Sequence, residues 1–402
     1  MKWINNKRRE KIYIVDTTSI PIGVVCATTK DDKLFVHSFK ESNFDNFSGT
    51  NFDSALLASF LNQLKIGNNS KVIFLWNGLS AATFTADVSL KKQHSEIPLN
   101  EVDVHRIFET ATFQFFTQFR EEAKKRFKVD DLGVILANNR ILDFKLDGET
   151  YINMESVKAK RADVSIEQTF LRRELHEAIS DEVNSSCNVL HVEIGTALSA
   201  LAKISGIATE DSLIIHVGHS KSHLYLVNSK NSHLSQKLNS SLQYSGEVDL
   251  GVKNIYESLF NKIGIGTPGI EIFIDKILKE SASTKLVFGV KKAILGSCLK
   301  LVNESKSKVV GVNKIVLFMP EPLATFMEQN DFAKNLSCII FSSLNKSDIL
   351  HQEISISRKL SPKALSPAYF AGLIAYWSRL GDNNEGVRRR GNVGWLISHN
   401  SI

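Results

Sequence analysis

Two stretches in opposite halves of the chain share one build. "KIYIVDTTSIPIGVVCA" (11–27) and "SLIIHVGHSKSHLYLV" (212–227) each pass from an apolar run through a polar crook into a second apolar run. Short, largely apolar runs of this kind suit strands covered on both faces. A strand–crook–strand unit that recurs at long separation marks a duplicated α/β domain, with a hairpin opening each half. Such a crook can also wrap a phosphate when its backbone N–H groups converge. The second crook, "GHSKSH" (218–223), therefore bears on function as well as fold.

The remaining chain has to supply two such halves. Its 402 residues exceed one ordinary core, so about two to four subdomains are expected. Hydrophobic residues at 43% against 23% charged ones indicate a folded protein. A net charge of +6 suits an anionic partner or membrane surface, and equally an ordinary soluble protein. Cys26, Cys187, Cys298 and Cys338 lie far apart and form no CxxC pair. They read as buried thiols of a reducing compartment, with no disulfide frame and no zinc site. The start, "MKWINNKRREK", lacks the apolar stretch of a signal peptide, and no run nears the roughly 18 apolar residues of a membrane span. A cytoplasmic protein is expected.

Periodicity orders the elements. Strands are predicted at "KIYIVD" (11–16), "IGVVCA" (22–27), "KLFVHSF" (33–39) and "KVIFLWNG" (71–78), with a helix at "FDSALLASFLNQL" (52–64). Between about 86 and 164 the pattern changes. "LNEVDVHRIFETATFQFFTQFREEAKKRF" (99–127) is a long helix with Asn100 as N-cap and Asp103 three residues on. Val104, Ile107, Phe108, Ala111, Phe115 and Phe119 give it one apolar face, a core face rather than a cofactor box. "LGVILA" reads as a strand, "ILDFKLDGETYI" as a hairpin turning at Asp147–Gly148, and "RADVSIEQTF" as a further strand. Together they make a small α+β subdomain inserted in a larger fold. "FLRRELHEAI", "GTALSALAKIS", "TKLVFGVKKAILGSCLKLVNES" and "SPAYFAGLIAYWSRL" are helices, the last with Pro367 in its first turn.

This order of elements resembles the actin-like ATPase superfamily, and within it the bacterial cell-division FtsA family. "IVDTTSIPIGVV" is similar to the family's first phosphate hairpin, and "VIFLWNGLSAATF" to the exit from its first subdomain. "DDLGVILANNRILDF" resembles the central strand of its insert, and "NVLHVEIGTALSALAKI" the entry to its second half. "LIIHVGHSKSHLYLV" sits where the second phosphate loop belongs. The resemblance spans nearly the whole chain in order. It implies an actin-like two-domain α/β fold, divided as follows. Subdomain 1A takes residues 1–85, 165–206 and a returning helix at 361–382. The insert 1C takes 86–164. Subdomain 2A takes 207–265 and 309–360, a short 2B takes 266–308, and a tail takes 383–402.

The resemblance also implies ATP with Mg as cofactor, and it marks Asp16, Thr17, Thr18, Gly218, Ser220, Lys221, Ser222 and Gly246 as nucleotide-binding candidates. No residue is assigned a catalytic role. The departures from the family pattern weigh on this chemistry. His219 and Ser220 stand where two loop glycines belong, Lys221 and Ser222 where threonines do, and His216 and His223 where aspartates do. No glycine follows Asp16, and the adenosine-loop segment "IVLFMPEPLA" has none. Phosphate loops need unusual φ values and no Cβ in the way, and proline removes a donor. Losing the aspartates removes carboxylates that would orient a metal-bound water. Asp16 reads equally well as a turn residue capping its own backbone. His216, His219 and His223 need not converge, since strand positions three apart face opposite ways.

Two further surfaces have simple readings. "REEAKKRFK" (120–128) mixes signs and reads as a solvated helix end, and no basic stripe interleaved with aromatics suggests nucleic acid. In the tail, Arg388, Arg389 and Arg390 precede Trp395, Leu396 and Ile397, a basic cluster beside a small apolar patch. That is the two-signal logic of peripheral membrane contact, weakened as a helix by Gly391 and Gly394. The expected function is an FtsA-like adaptor of cell division that self-assembles and links the tubulin-like FtsZ polymer to the membrane, with degraded nucleotide motifs. A PilM-like adaptor of type IV pilus or secretion assembly is the near alternative. An active kinase or ATPase of the superfamily is the other.

Overall fold

The computed structural model describes residues 10–18, 21–30, 33–42, 54–68, 70–91, 96–149, 157–183, 187–207, 211–227, 242–264, 267–279, 284–312, 314–321, 323–330, 332–342, 354–356 and 366–381. Three sheets organise these residues. The first contains β1 (Lys11–Asp16), β2 (Gly23–Lys30), β3 (Lys33–Glu41), β4 (Lys71–Trp76), β8 (Asn188–Glu193) and β14 (Ile354–Ile356), in the order β14-β3-β2-β1-β4-β8. The second contains β9 (Ser212–Val217), β10 (Ser222–Val227), β11 (Leu242–Val248), β12 (Lys314–Phe318) and β13 (Ile339–Phe341), in the order β11-β10-β9-β12-β13. In each, three antiparallel strands open the half and two parallel strands extend it. Strand for strand, β3-β2-β1-β4-β8 recurs as β11-β10-β9-β12-β13. The echo between the two hairpins is thus a duplication of whole sheets.

Alternation along the strands assigns each side chain to a core. Ile12 and Ile14 of β1, Ile73 and Leu75 of β4, Ile214 of β9 and Val316 and Phe318 of β12 enter a central core between the sheets. Two helices fill that core, α4 (Ile194–Ile204) and α10 (Pro367–Gly381). A Cβ at Gly372 would meet Ile14 Cγ2 at 2.7 Å, so α10 lies directly on β1. The outer face of the first sheet packs Phe74 and Trp76 against α1 (Ser54–Leu64) and α3 (Arg173–Ser180). The outer face of the second is covered by α5 (Val252–Ile263), α6 (Thr267–Lys279), α7 (Thr284–Lys308), α8 (Leu323–Gln329) and α9 (Phe332–Leu336).

The insert is a third sheet of β5 (Ala81–Lys91), β6 (Val134–Leu146) and β7 (Arg161–Arg172), antiparallel in the order β5-β7-β6. α2 (Glu101–Phe127) covers one face of it. α2 starts on the predicted capping box: Asn100 Oδ1 accepts the Asp103 N–H at 2.9 Å, and Asp103 Oδ2 accepts the Asn100 N–H at 3.2 Å. Val104, Phe108, Ala111, Phe115 and Phe119 are buried as predicted, whereas Ile107 is only half-buried.

Several local expectations change. "LGVILA" and "ILDFKL" are not separate strands but one strand, β6, that runs through the polar "NNR". Register shifts between Leu136 and Asn138 and between Ile141 and Asp143 absorb the extra residues as bulges. Asp147 (φ 48°) and Gly148 (φ 88°) make the expected turn; the hairpin's return over 150–152 lies outside the described residues. α6 and β14 add to the elements that periodicity predicts. β10 starts at Ser222, which shortens the second crook to 218–221. No helix among the described residues is long and apolar enough to cross a membrane.

Candidate functional site between the halves

The two hairpin tips meet. Asp16 ends β1, and its Oδ1 accepts the Thr18 N–H at 2.9 Å and the Thr18 hydroxyl at 2.6 Å. Thr17 turns the other way, its hydroxyl bonding Leu75 O at 2.6 Å and tying the tip to β4. In the second tip the Gly218 N–H donates to Lys221 O at 3.0 Å, closing a tight turn. A Cβ on Gly218 would lie 2.7 Å from Lys221 O and 3.5 Å from Thr18 O, so the tips are in near contact.

The start of α5 completes the second tip. Its first N–H groups are natural anion donors. Here the Val252 N–H donates to Gly218 O at 3.0 Å and the Lys253 N–H to His219 O at 2.9 Å. Gly251 permits this approach: a Cβ there would lie 2.4 Å from His219 O and 2.7 Å from Gly218 O. Lys221 pairs with Glu247 and, at 3.2 Å, with Asp249, and the Glu247 bond holds its ammonium above the usual range. Ser222 is buried and donates to Leu250 O at 2.6 Å. Ser220 is exposed at the tip. Gly246 (φ 122°) sits in β11 opposite Leu224, at a bulge. Arg388, Arg389, Arg390, Trp395, Leu396 and Ile397 lie outside the described residues.

A file of side chains runs from these tips to the insert. Asp16 shares the face of Ile12 and Ile14, and His216 shares that of Ile214, so both point between the halves. Thr18 Oγ1 is 3.5 Å from His216 Nε2. His216 and His223 are cross-strand partners, and their rings stack at 6.4 Å and 17°. Two of the three histidines therefore share a face, while His219 stays in the crook; no group of three metal-ligating side chains forms among the described residues. His223 Nδ1 lies 3.5 Å from the Tyr244 hydroxyl, and the Arg126 guanidinium stands over the Tyr244 ring at 4.1 Å. Arg126 pairs with the buried Glu193 and donates from Nε to Gly78 O at 2.5 Å. Glu193 Oε2 also accepts the Thr83 N–H at 2.7 Å.

Arg126 thus corrects the reading of "REEAKKRFK" as merely solvated. It projects from the last turn of the insert helix, pairs with the first half at Glu193 and Gly78, and stacks on the second half at Tyr244. Two glycines make room for the rings. A Cβ at Gly78 would lie 2.5 Å from the Tyr244 ring, and one at Gly195 would lie 2.2 Å from Tyr225. Periodicity could not find this cluster, because its members are far apart in sequence. The one local signal is a glutamate ending the apolar strand "NVLHVE" immediately before a small-residue helix.

Burial sets the charges. It lowers His216 to about 4, against the pull of Asp16, and lowers His223 to about 3, with His216 adding to the shift. Both imidazoles are neutral at pH 7. Burial pushes the Glu193 carboxyl upward, opposed by Arg126 and the Thr83 N–H. Among the described residues, the side chains that meet between the halves include the His216, His223 and Tyr244 rings and the Arg126–Glu193 pair.

No protein-family model matches the sequence, and no curated protein is significantly similar to it. Solved structures do match. A PilM–PilN type IV pilus biogenesis complex aligns with a TM-score of 0.52 at 11% identity, over 92% of this chain and 99% of that one. The ethanolamine utilization protein EutJ from Carboxydothermus hydrogenoformans aligns at 0.37 and 10% identity, over 90% and 89% of the two chains. MreB5 of Spiroplasma citri bound to ADP aligns at 0.36 and 9%, over 94% and 99%. At such identities likeness establishes fold alone, and with the repeated sheet topology it gives this chain the actin-like ATPase fold.

Proposed function

We propose that this chain is an actin-fold adaptor that acts by binding other proteins, its two halves held together by its own side chains and without nucleotide turnover. The observation that carries this reading is the continuous file Thr18–His216–His223–Tyr244–Arg126–Glu193. ATP with Mg would need room between two tips that nearly touch. Its phosphates would compete with the crook carbonyls for the α5 N–H groups and with Glu247 and Asp249 for Lys221. On this reading Asp16, Thr17, Thr18, Gly218 and Ser222 cap backbone or tie strands, and Lys221 is engaged by Glu247 and Asp249.

The similarity to the PilM–PilN structure across 99% of that chain supports a PilM-like adaptor that docks a protein of a pilus or secretion machine. An FtsA-like adaptor of the FtsZ ring, self-assembling and tethered at its C-terminal tail, would share the architecture. A fluorescent fusion separates them. Foci at the poles or at pilus bases are expected, midcell rings would move the assignment to division, and diffuse signal would overturn both. A phosphate-release assay addresses the enzyme reading: steady ATP hydrolysis by purified protein would overturn the adaptor proposal.

A further inference from the structure

α7 is 25 residues long, about 37 Å at about 1.5 Å per residue. Its inner edge is Val290, Ile294, Cys298, Leu301, Val302 and Ser305, all buried under the second sheet. The opposite edge carries Phe288, Lys292, Leu299, Asn303 and Lys306, spaced so that they fall near one line at about 100° per residue. Phe288 is 67% exposed and Leu299 36%. Gly289 and Gly296 flank the line with open space where a Cβ would stand. Neither Lys292 nor Lys306 has an acidic partner among the described residues. Glu304, the one acid of α7, is turned aside toward Lys300 at 3.9 Å.

We propose that this edge of α7 rests on an anionic lipid surface, with Phe288 and Leu299 entering the interface and Lys292 and Lys306 on the headgroup phosphates. The charge pattern selects this occupant. A second copy would set lysine against lysine on a chain of net charge +6. A specific protein interface buries about 800 Å² per partner with matched shape, and one phenylalanine and one leucine in single file offer little of that. A lipid surface needs no matched shape. It takes isolated apolar side chains together with lysines whose long stems snorkel to the phosphates.

Co-sedimentation of the full chain tests this, with vesicles of phosphatidylcholine alone or mixed with phosphatidylglycerol. Binding is expected only to the mixed vesicles, weakening with salt. Lys292→Gln and Lys306→Gln should each weaken it about fivefold, while Lys40→Gln and Lys91→Gln, of equal charge change elsewhere, should leave it unaltered. A Phe288→Trp variant should show a blue-shifted emission increment on the mixed vesicles, a readout independent of affinity. Three results would each overturn the proposal: binding that ignores both α7 lysines, no binding to mixed vesicles, or an unshifted emission increment from the Phe288→Trp variant. Capture of an acidic protein by this edge without lipid binding would do the same.

Discussion

Replacing Arg126 by methionine keeps the reach of the side chain and removes its charge. Glu193, 2% exposed, then keeps only the Thr83 N–H at 2.7 Å among the contacts described above. A carboxylate left in that state can protonate instead, which bounds the cost. From an ordinary value of 4.5, protonation at pH 7 costs about 3.4 kcal/mol at about 1.36 kcal/mol per unit. Loss of the contact with the Tyr244 ring and of the bond to Gly78 O adds about 1 kcal/mol each. These parts sum to at most about 5.4 kcal/mol, at the top of the range for a broken buried pair. The carboxyl part shrinks as pH falls toward the folded wild-type pKa, which burial raises, so the gap between wild type and variant should narrow by at most about 2 kcal/mol between pH 7 and about 5.5. Urea unfolding followed by tryptophan fluorescence reads both numbers, and adding Glu193→Gln should restore most of the loss. A gap below about 1 kcal/mol, or one that does not change with pH, would refute the clasp.

Other consequences follow from the same packing. Gly195→Ala, whose Cβ would meet the Tyr225 ring at 2.2 Å, should cost about 1–3 kcal/mol by overpacking, read as a lowered thermal midpoint. Gly251→Ala should cost at least as much, because its Cβ would strike two carbonyl oxygens of the crook; hydrogen exchange at Val252 and Lys253 should speed up locally. Burial holds His216 near 4 and His191 and His223 near 3 in the folded protein, against 6.5 unfolded. The unfolded chain therefore takes up protons first as pH falls. Between pH 7.5 and about 5.5 stability should drop by about 1.4 kcal/mol per histidine, and a flat urea midpoint across that range would contradict the burial. Asn100→Ala should cost about 1 kcal/mol through loss of the α2 cap, measurable by the same unfolding assay.

Much of the fold is legible because its signals are local. β1 occupies the predicted 11–16, and α2 starts on the predicted cap, since strand period, helix period and capping chemistry are all read within a few residues. The sequence pattern breaks β6 in two because "NNR" is polar. In the structure that polarity serves contacts: Asn138 donates to His191 O of the first half at 2.5 Å, and Asn139 to Thr112 Oγ1 of α2 within the insert at 3.2 Å. The candidate site is legible in position, while the partners of its side chains are not. Asp16 and Gly218 stand at the two tips, but their partners, Thr18 and Lys221 O, are made by the turn geometry. Lys221 reads in the sequence as a nucleotide-binding candidate, and its pairing with Glu247 of β11, 26 residues on, is not legible there. Arg126, Glu193 and Tyr244 come from three modules, and no periodicity within one segment encodes their meeting.

On the adaptor reading, the space a nucleotide would take is held by this protein's own side chains. Calorimetric titration of Mg–ATP into the purified full chain tests this. No saturable heat is predicted up to millimolar nucleotide. One-to-one binding tighter than about 1 mM, about −4.1 kcal/mol, would contradict the account, because the closely apposed tips and the side chains between them would have to yield for that gain.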